Sequence, residues 1–170
     1  MIIIVMGVSG CGKTTLGEEL AKRLSCGFSD ADGFHPKANV EKMAAGIPLQ
    51  DEDRCPWLAS IREAIDGWHA KGESHIIACS ALKEVYRDML SPNGDVIFVY
   101  MKGSRETTRP RLKARKGHYM PPSLLDSQFN TLEEPKDALI VDIQGTPAEI
   151  ADDVIAQLPK FASAEERTLL

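Results

Sequence analysis

The segment Gly7-Val8-Ser9-Gly10-Cys11-Gly12-Lys13-Thr14, set directly behind the apolar run Ile2 to Met6, constrains the chain more than any other feature. A continuous β-branched run ended by glycine is the pattern of a strand buried on both faces. After the loop, Leu16, Leu20 and Leu24 recur at every fourth position with charges between them. That spacing predicts a helix from Lys13 to Leu24 with one stripe against a sheet. Strand, glycine turn and helix in this order aim backbone N–H groups and a helix N-terminus at one small volume, which suits an anion. The spacing G-x-x-x-x-G-K-[ST] adds a lysine that can reach the terminal phosphates and a hydroxyl that can ligate Mg²⁺. Gly7, Val8, Ser9, Gly10, Cys11, Gly12, Lys13, Thr14 and Thr15 are therefore candidate ATP-binding residues, with Thr14 facing the metal ion. Cys11 serves only as a small loop residue, and bound ATP should shield its thiol from alkylation if the thiol is exposed.

Three later runs read as further strands: Ile76 to Cys79, Val96 to Met101 and Leu139 to Ile143. A shorter one fits Cys26 to Ser29. Between them, Trp57, Leu58, Ile61, Ile65 and Trp68 mark one helix face, with Pro56 suited to a first turn. Other helices are expected near Pro36 to Ala45, Lys83 to Leu90, Ser123 to Leu132 and Ala148 to Leu158. Alternating strands and helices imply an α/β fold, a largely parallel sheet with helices on both faces. A length of 170 residues fits one domain. We expect it to occupy about 1–160, with the last ten residues, Phe161 to Leu170, loosely held.

The net charge of −5 argues against a general nucleic-acid or membrane-surface binder. No apolar run approaches the ~20 residues of a membrane span. Four cysteines without metal-site spacing read as free thiols, which points to the cytoplasm.

A phosphate loop does not reveal where the γ-phosphate goes. The guanine signature N-K-x-D is absent, and Ser80 rather than aspartate follows the strand at Ile76 to Cys79. The carboxylates available are Asp30 and Asp32, just after the second strand. In an extended D-x-D both would point the same way, one toward Mg²⁺ and the other toward a substrate hydroxyl; a plain turn cap is the alternative. Between 102 and 118, seven basic residues stand against Glu106 alone. Beside a phosphate loop this run reads as a lid, at about 105–130, whose arginines close over ATP; a solvated helix face and an RNA contact are the alternatives. Pro110 should mark a kink or a helix start.

Several separate segments, in order, carry a resemblance. Asp30-Ala31-Asp32-Gly33-Phe34-His35-Pro36, Asn39, Lys42-Met43, Gly46-Ile47-Pro48-Leu49 and Asp51-Glu52-Asp53-Arg54-Cys55-Pro56-Trp57-Leu58 resemble the gluconate kinase (gluconokinase) family. So do Ala78-Cys79-Ser80-Ala81-Leu82-Lys83, Tyr86-Arg87-Asp88, Arg111-Leu112-Lys113-Ala114-Arg115-Lys116-Gly117-His118 and Ser127-Gln128-Phe129 with Thr131-Leu132-Glu133. The resemblance implies the nucleoside monophosphate kinase-like P-loop fold with sheet order 2-3-1-4-5, often as a homodimer. It implies transfer of phosphate from ATP to the 6-hydroxyl of D-gluconate. By analogy with the related shikimate kinases, Asp30 would act near Mg²⁺ through water and Asp32 would orient or deprotonate the hydroxyl. Arg54, His35 and Lys42 would meet substrate in a segment at about 33–60. Arg111 would lie against adenine, while Arg115 would join Lys13 on the phosphates.

Departures are small: Ala31 stands where glycine is common, Gly33 where a bulkier residue is frequent, and Tyr119 in place of phenylalanine. Another small-molecule kinase of this fold, shikimate-like or acting on a nucleotide, and a non-catalytic nucleotide-binding regulator are the competing readings.

Overall fold

The computed structural model describes residues 1–114 and 124–162. Among these, five strands form one parallel sheet: β1 (Ile2–Met6), β2 (Gly27–Asp30), β3 (His75–Ala78), β4 (Ile97–Lys102) and β5 (Leu139–Asp142). Their spatial order is β2-β3-β1-β4-β5. Register is parallel throughout: Ile4 sits opposite both Ile77 and Phe98, and Asp30 opposite Ala78. The helices are α1 (Lys13–Arg23), α2 (Lys37–Ala44), α3 (Asp51–Ala70), α4 (Glu84–Leu90), α5 (Arg105–Ala114), α6 (Leu124–Thr131) and α7 (Pro147–Gln157).

Strand periodicity divides the core into two layers. Ile3 and Val5 join Leu16 and Leu20 of α1 and Ile150 and Val154 of α7. Ile2, Ile4 and Met6 face Trp57, Leu58, Ile61 and Ile65 of α3. All five residues of β1 are buried, which explains why that strand reads as an unbroken apolar run.

Prolines mark where local sequence rules give way to packing. The spacing suggested that Pro56 opens its helix, yet α3 begins at Asp51 and holds Pro56 in its interior. An earlier start signal prevails: the Gln50 backbone N–H donates to Asp53 Oδ2 at 2.9 Å, and three acids, Asp51, Glu52 and Asp53, sit in the first turn, where the helix dipole favours them. Pro110 also lies inside its helix, α5. The start there is set upstream, where Ser104 Oγ accepts from the Thr107 N–H at 3.3 Å. Phe161 and Ala162 follow a short turn, and Ala162 is buried against the α1 side of the sheet; residues 163–170 lie outside the described part.

Candidate active site

All five strand ends converge on one cavity of about 490 Å³. This is the carboxyl edge of a parallel sheet, where open α/β folds place their ligands. Its walls are the loop Ser9–Leu16, Asp30, Asp32, Ala78, Ser80, Met101, Arg111, Gln128 and Ile143, closed by Gly145, Pro147 and Ile150 from the approach to α7.

The glycine loop folds as its sequence demands. Gly12, at φ 103°, caps α1, and Gly10 has φ 83°. Both lie in the left-handed region that side chains disfavour. Gly10 is also crowded, since a Cβ there would stand 2.7 Å from the Thr108 carbonyl oxygen of α5. Gly10→Ala should therefore push the loop off α5 and weaken nucleotide binding at least ~10-fold, read by ATP titration calorimetry. Gly33 is the counter-case, because a Cβ there meets nothing within 4 Å. Gly33→Ala should keep activity and raise stability by up to ~1 kcal/mol, read from urea midpoints.

Lys13 curls back so that Nζ donates to the Val8 carbonyl at 3.0 Å, placing its charge over the loop. Cys11 is 1% exposed, and burial pushes its thiol up from the usual range. The exposed thiol that ATP would shield is thus not what the fold presents. Gln128 was missed as a functional residue by sequence reasoning. Its Oε1 accepts from the Ser9 N–H at 2.6 Å, a contact across 119 positions that no local pattern signals.

Asp30 and Asp32 both line the cavity, but not through strand alternation. Asp30 ends β2, and Ala31–Phe34 turn as a short 3-10 helix. Asp30 Oδ1 accepts from the Asp32 N–H at 3.0 Å, while Oδ2 accepts from Thr14 Oγ1 at 2.9 Å. One carboxylate therefore caps the turn, the alternative weighed for the pair, and also joins that turn to the phosphate loop through Thr14. The turn is anchored from below by Trp57, 2% exposed, whose Nε1 donates to the Ala31 carbonyl at 2.7 Å.

His35 stacks on Trp57, centroids 4.3 Å apart and planes 11° from parallel. Burial pushes its pKa down to about 4, the Asp32 charge opposing and the Arg54 charge reinforcing that shift. His75, stacked on Trp68, is lowered by burial as well. A proton that the unfolded chain accepts near the ordinary 6.5 is refused by these native rings, so stability should fall as pH drops from 6.5 toward about 4. Urea midpoints at pH 7, 6 and 5 measure the slope, and His35→Gln should flatten it.

The remaining cations divide by partner. Lys42 pairs with Asp53 at 2.6 Å, bridging α2 to α3, and its ammonium holds the Asp53 carboxyl below the usual range. Arg54 donates to the Leu49 carbonyl at 2.5 Å and lies 5.5 Å from the centre of the Tyr86 ring. Lys83 and the Tyr86 hydroxyl both donate to Asp51. Arg111 Nη2 donates to the Ile143 carbonyl at 3.0 Å, on the cavity wall. Arg105 and Arg109 both pair with Asp126 of α6, an acid that itself falls within the expected lid. Arg115 and Tyr119 lie outside the described residues, as does the middle of the expected lid.

A parallel sheet of this order, a glycine loop bearing lysine and threonine, and acidic side chains across one cavity define a P-loop kinase of small molecules. A profile of the shikimate kinase family matches residues 9–159. The chain is 45% identical to the thermoresistant gluconokinase of Escherichia coli K12, over 84% of each chain. It is 42% identical to the gluconokinase of Gluconobacter oxydans, over 96% of this chain and 92% of that one. A gluconokinase structure from Sinorhizobium meliloti superposes with TM-score 0.84 at 42% identity, covering 94% of this chain and 92% of that one. Shikimate kinase from Aquifex aeolicus shares the fold, with TM-score 0.67 at 20% identity over 94% and 96%. The chain belongs to the gluconokinase family, within the wider shikimate kinase group.

Proposed function

We propose that this protein transfers the γ-phosphate of ATP to the 6-hydroxyl of D-gluconate, giving 6-phospho-D-gluconate and ADP. The observation that carries this reading is the placement of Lys13, Thr14, Asp30 and Asp32 on one cavity, beside a cation-bearing segment built from α2 and the start of α3. ATP would lie along the glycine loop, its base toward Arg111 and Pro147 and its phosphates over Gly10 to Thr15. Lys13 and Arg115 would neutralise charge on the transferring group, for which electrostatic stabilisation is the main catalytic resource.

Thr14 Oγ1 and Asp30 offer hard oxygen donors. Among the described residues no cluster of three or more His, Cys, Asp or Glu forms a metal cage. Such a donor set suits Mg²⁺, which keeps most of its waters and binds through one or two protein oxygens plus substrate phosphates. Bound there, Mg²⁺ would offset the charge on the β- and γ-phosphates. In the transfer, the substrate oxygen forms a bond to Pγ as the bond from Pγ to the β-γ bridging oxygen breaks, and Asp32 takes the hydroxyl proton. Arg54 and His35 would meet the carboxylate and hydroxyls of the acid, while Lys42 would act through the Asp53 pair.

A cytoplasmic homodimer completes the proposal. Four free thiols support the compartment, and the exposed pair Val85 and Met89, one helical turn apart on α4, supports a second copy.

The direct test measures ADP release with Mg-ATP and D-gluconate, shikimate, glucose, a nucleoside monophosphate or no acceptor, detecting 6-phosphogluconate itself. Turnover with gluconate is expected to exceed the others at least ~100-fold. Equal or faster turnover with shikimate or a nucleotide would overturn the assignment, and ATP binding without transfer to any acceptor would favour a regulator.

A further inference from the structure

Among the side chains of the acceptor segment, Asn39 is the one whose burial a surface helix does not explain. It is 4% exposed on the eight-residue helix α2, among few polar residues buried in the described part. Burying an amide is costly unless its hydrogen bonds are met. Here they are met in a directed way: Nδ2 donates to the Asp53 carbonyl at 2.7 Å and lies 3.4 Å from His35 Nδ1.

Together these two contacts favour one state of the imidazole. A backbone carbonyl only accepts, so the atom beside Asp53 is the amide nitrogen and the orientation of Asn39 is fixed. That nitrogen carries donors alone, hence His35 Nδ1 must accept. An accepting Nδ1 is unprotonated, which leaves the proton on Nε2. The ring plane is held independently by the stack on Trp57, itself locked by its bond to Ala31. The charged groups acting on the ring are Asp32, from its own segment, and Arg54, from α3, and they oppose each other.

We propose that Asn39 is a positioning residue of the acceptor site, holding His35 as the neutral tautomer that accepts at Nδ1 and donates from Nε2 to an oxygen of a polyhydroxy acid. This rests on the functional reading above and adds to it the charge state of the site. Neutrality matters because an imidazolium beside Asp32 would pair with that carboxylate and lower its basicity. A neutral N–H donor binds a hydroxyl or carboxylate oxygen and leaves Asp32 able to take the proton. The acceptor is thus oriented without a second cation competing for the base.

The first readout is independent of activity. Long-range ¹⁵N–¹H correlation on the ¹⁵N-labelled protein at pH 7 should find His35 protonated at Nε2 alone, with a titration midpoint well below 6.5. In Asn39→Asp an acceptor replaces the donor, and the His35 midpoint should rise by at least ~1 pH unit. In the same variant kcat/KM for gluconate should fall ~10–100-fold while KM for ATP holds, and the acid limb of its pH profile should move to higher pH.

Two substitutions of the histidine itself cover the case in which that variant fails to fold. Glutamine presents an N–H where Nε2 stood, whereas asparagine reproduces only the Nδ1 position. His35→Gln should stay within ~10-fold of the parent kcat/KM and His35→Asn should lose ~100-fold. A wild-type His35 protonated at Nδ1, or glutamine and asparagine variants of equal activity, overturns the proposal. Absence of gluconate turnover in the parent protein overturns the functional reading instead, and the tautomer measurement then stands or falls alone.

Discussion

Asp32→Asn is expected to lower kcat by ~10²–10⁴-fold, the range associated with a positioned acid or base, with little change in ATP affinity. Asparagine preserves the shape of the side chain and its place in the 3-10 turn, where the N–H of residue 32 is held by Asp30. What it removes is the ability, proposed for Asp32, to take the proton of the attacking hydroxyl. Steady-state kcat with saturating gluconate, beside ATP binding by calorimetry, separates the two effects. A variant with parental kcat would remove Asp32 from the reaction and return the question to Asp30. Asp30→Asn should act differently, because that carboxylate bonds Thr14: ATP and Mg²⁺ dependence should both deteriorate.

The largest effect on stability is expected from Trp57→Ala, at about 3–5 kcal/mol. That is a large fraction of the ~5–15 kcal/mol that separates folded from unfolded states in ordinary domains. Trp57 is among the largest fully buried side chains, wedged between α3 and the sheet. Its loss leaves a cavity, strands the buried Ala31 carbonyl that Nε1 now satisfies, and removes the surface on which His35 lies. Urea unfolding should find the midpoint sharply lowered, and residual activity at low temperature should fall further than the folded fraction predicts. Trp57→Phe refills most of the volume and restores the stack but not the hydrogen bond, so it should recover more than half of the lost stability.

Reading these residues from sequence works where one local rule acts alone. The β1 run, the glycine loop and the leucine stripe of α1 each obey a single periodicity, and each lies where that periodicity places it. Strand β2 ends one residue later than its apolar pattern, because the Asp30 backbone still pairs with Ala78 of β3. The D-x-D pair was expected to face one way through strand pleating. It instead reaches the cavity through a 3-10 turn, since the Asp30 cap and the Trp57 anchor outweigh extended geometry.

Long-range partners were the illegible part. Nothing near Gln128 announces that it will bond Ser9. Arg105 and Arg109 look like phosphate ligands in a basic run, yet the acid that claims them, Asp126, sits beyond the run on a different helix. Asn39 stands in the sequence as one position of the family resemblance, and only the fold shows it buried on the Asp53 carbonyl.

Asp30 holds the seam between the two halves of the cavity, one oxygen for the loop that takes nucleotide and one for the turn that opens toward the acceptor. From that turn to the first part of α3 the acceptor side is a single uninterrupted stretch of chain, whereas the nucleotide side is assembled from α1, α5 and the approach to α7. On the proposed function, acceptor preference should therefore be heritable as one cassette. A graft of residues 33–60 from a relative with another acceptor should retune the enzyme while its phosphate donor stays the same, provided that Asp30 stays in place and the graft keeps a tryptophan at position 57 beneath the turn.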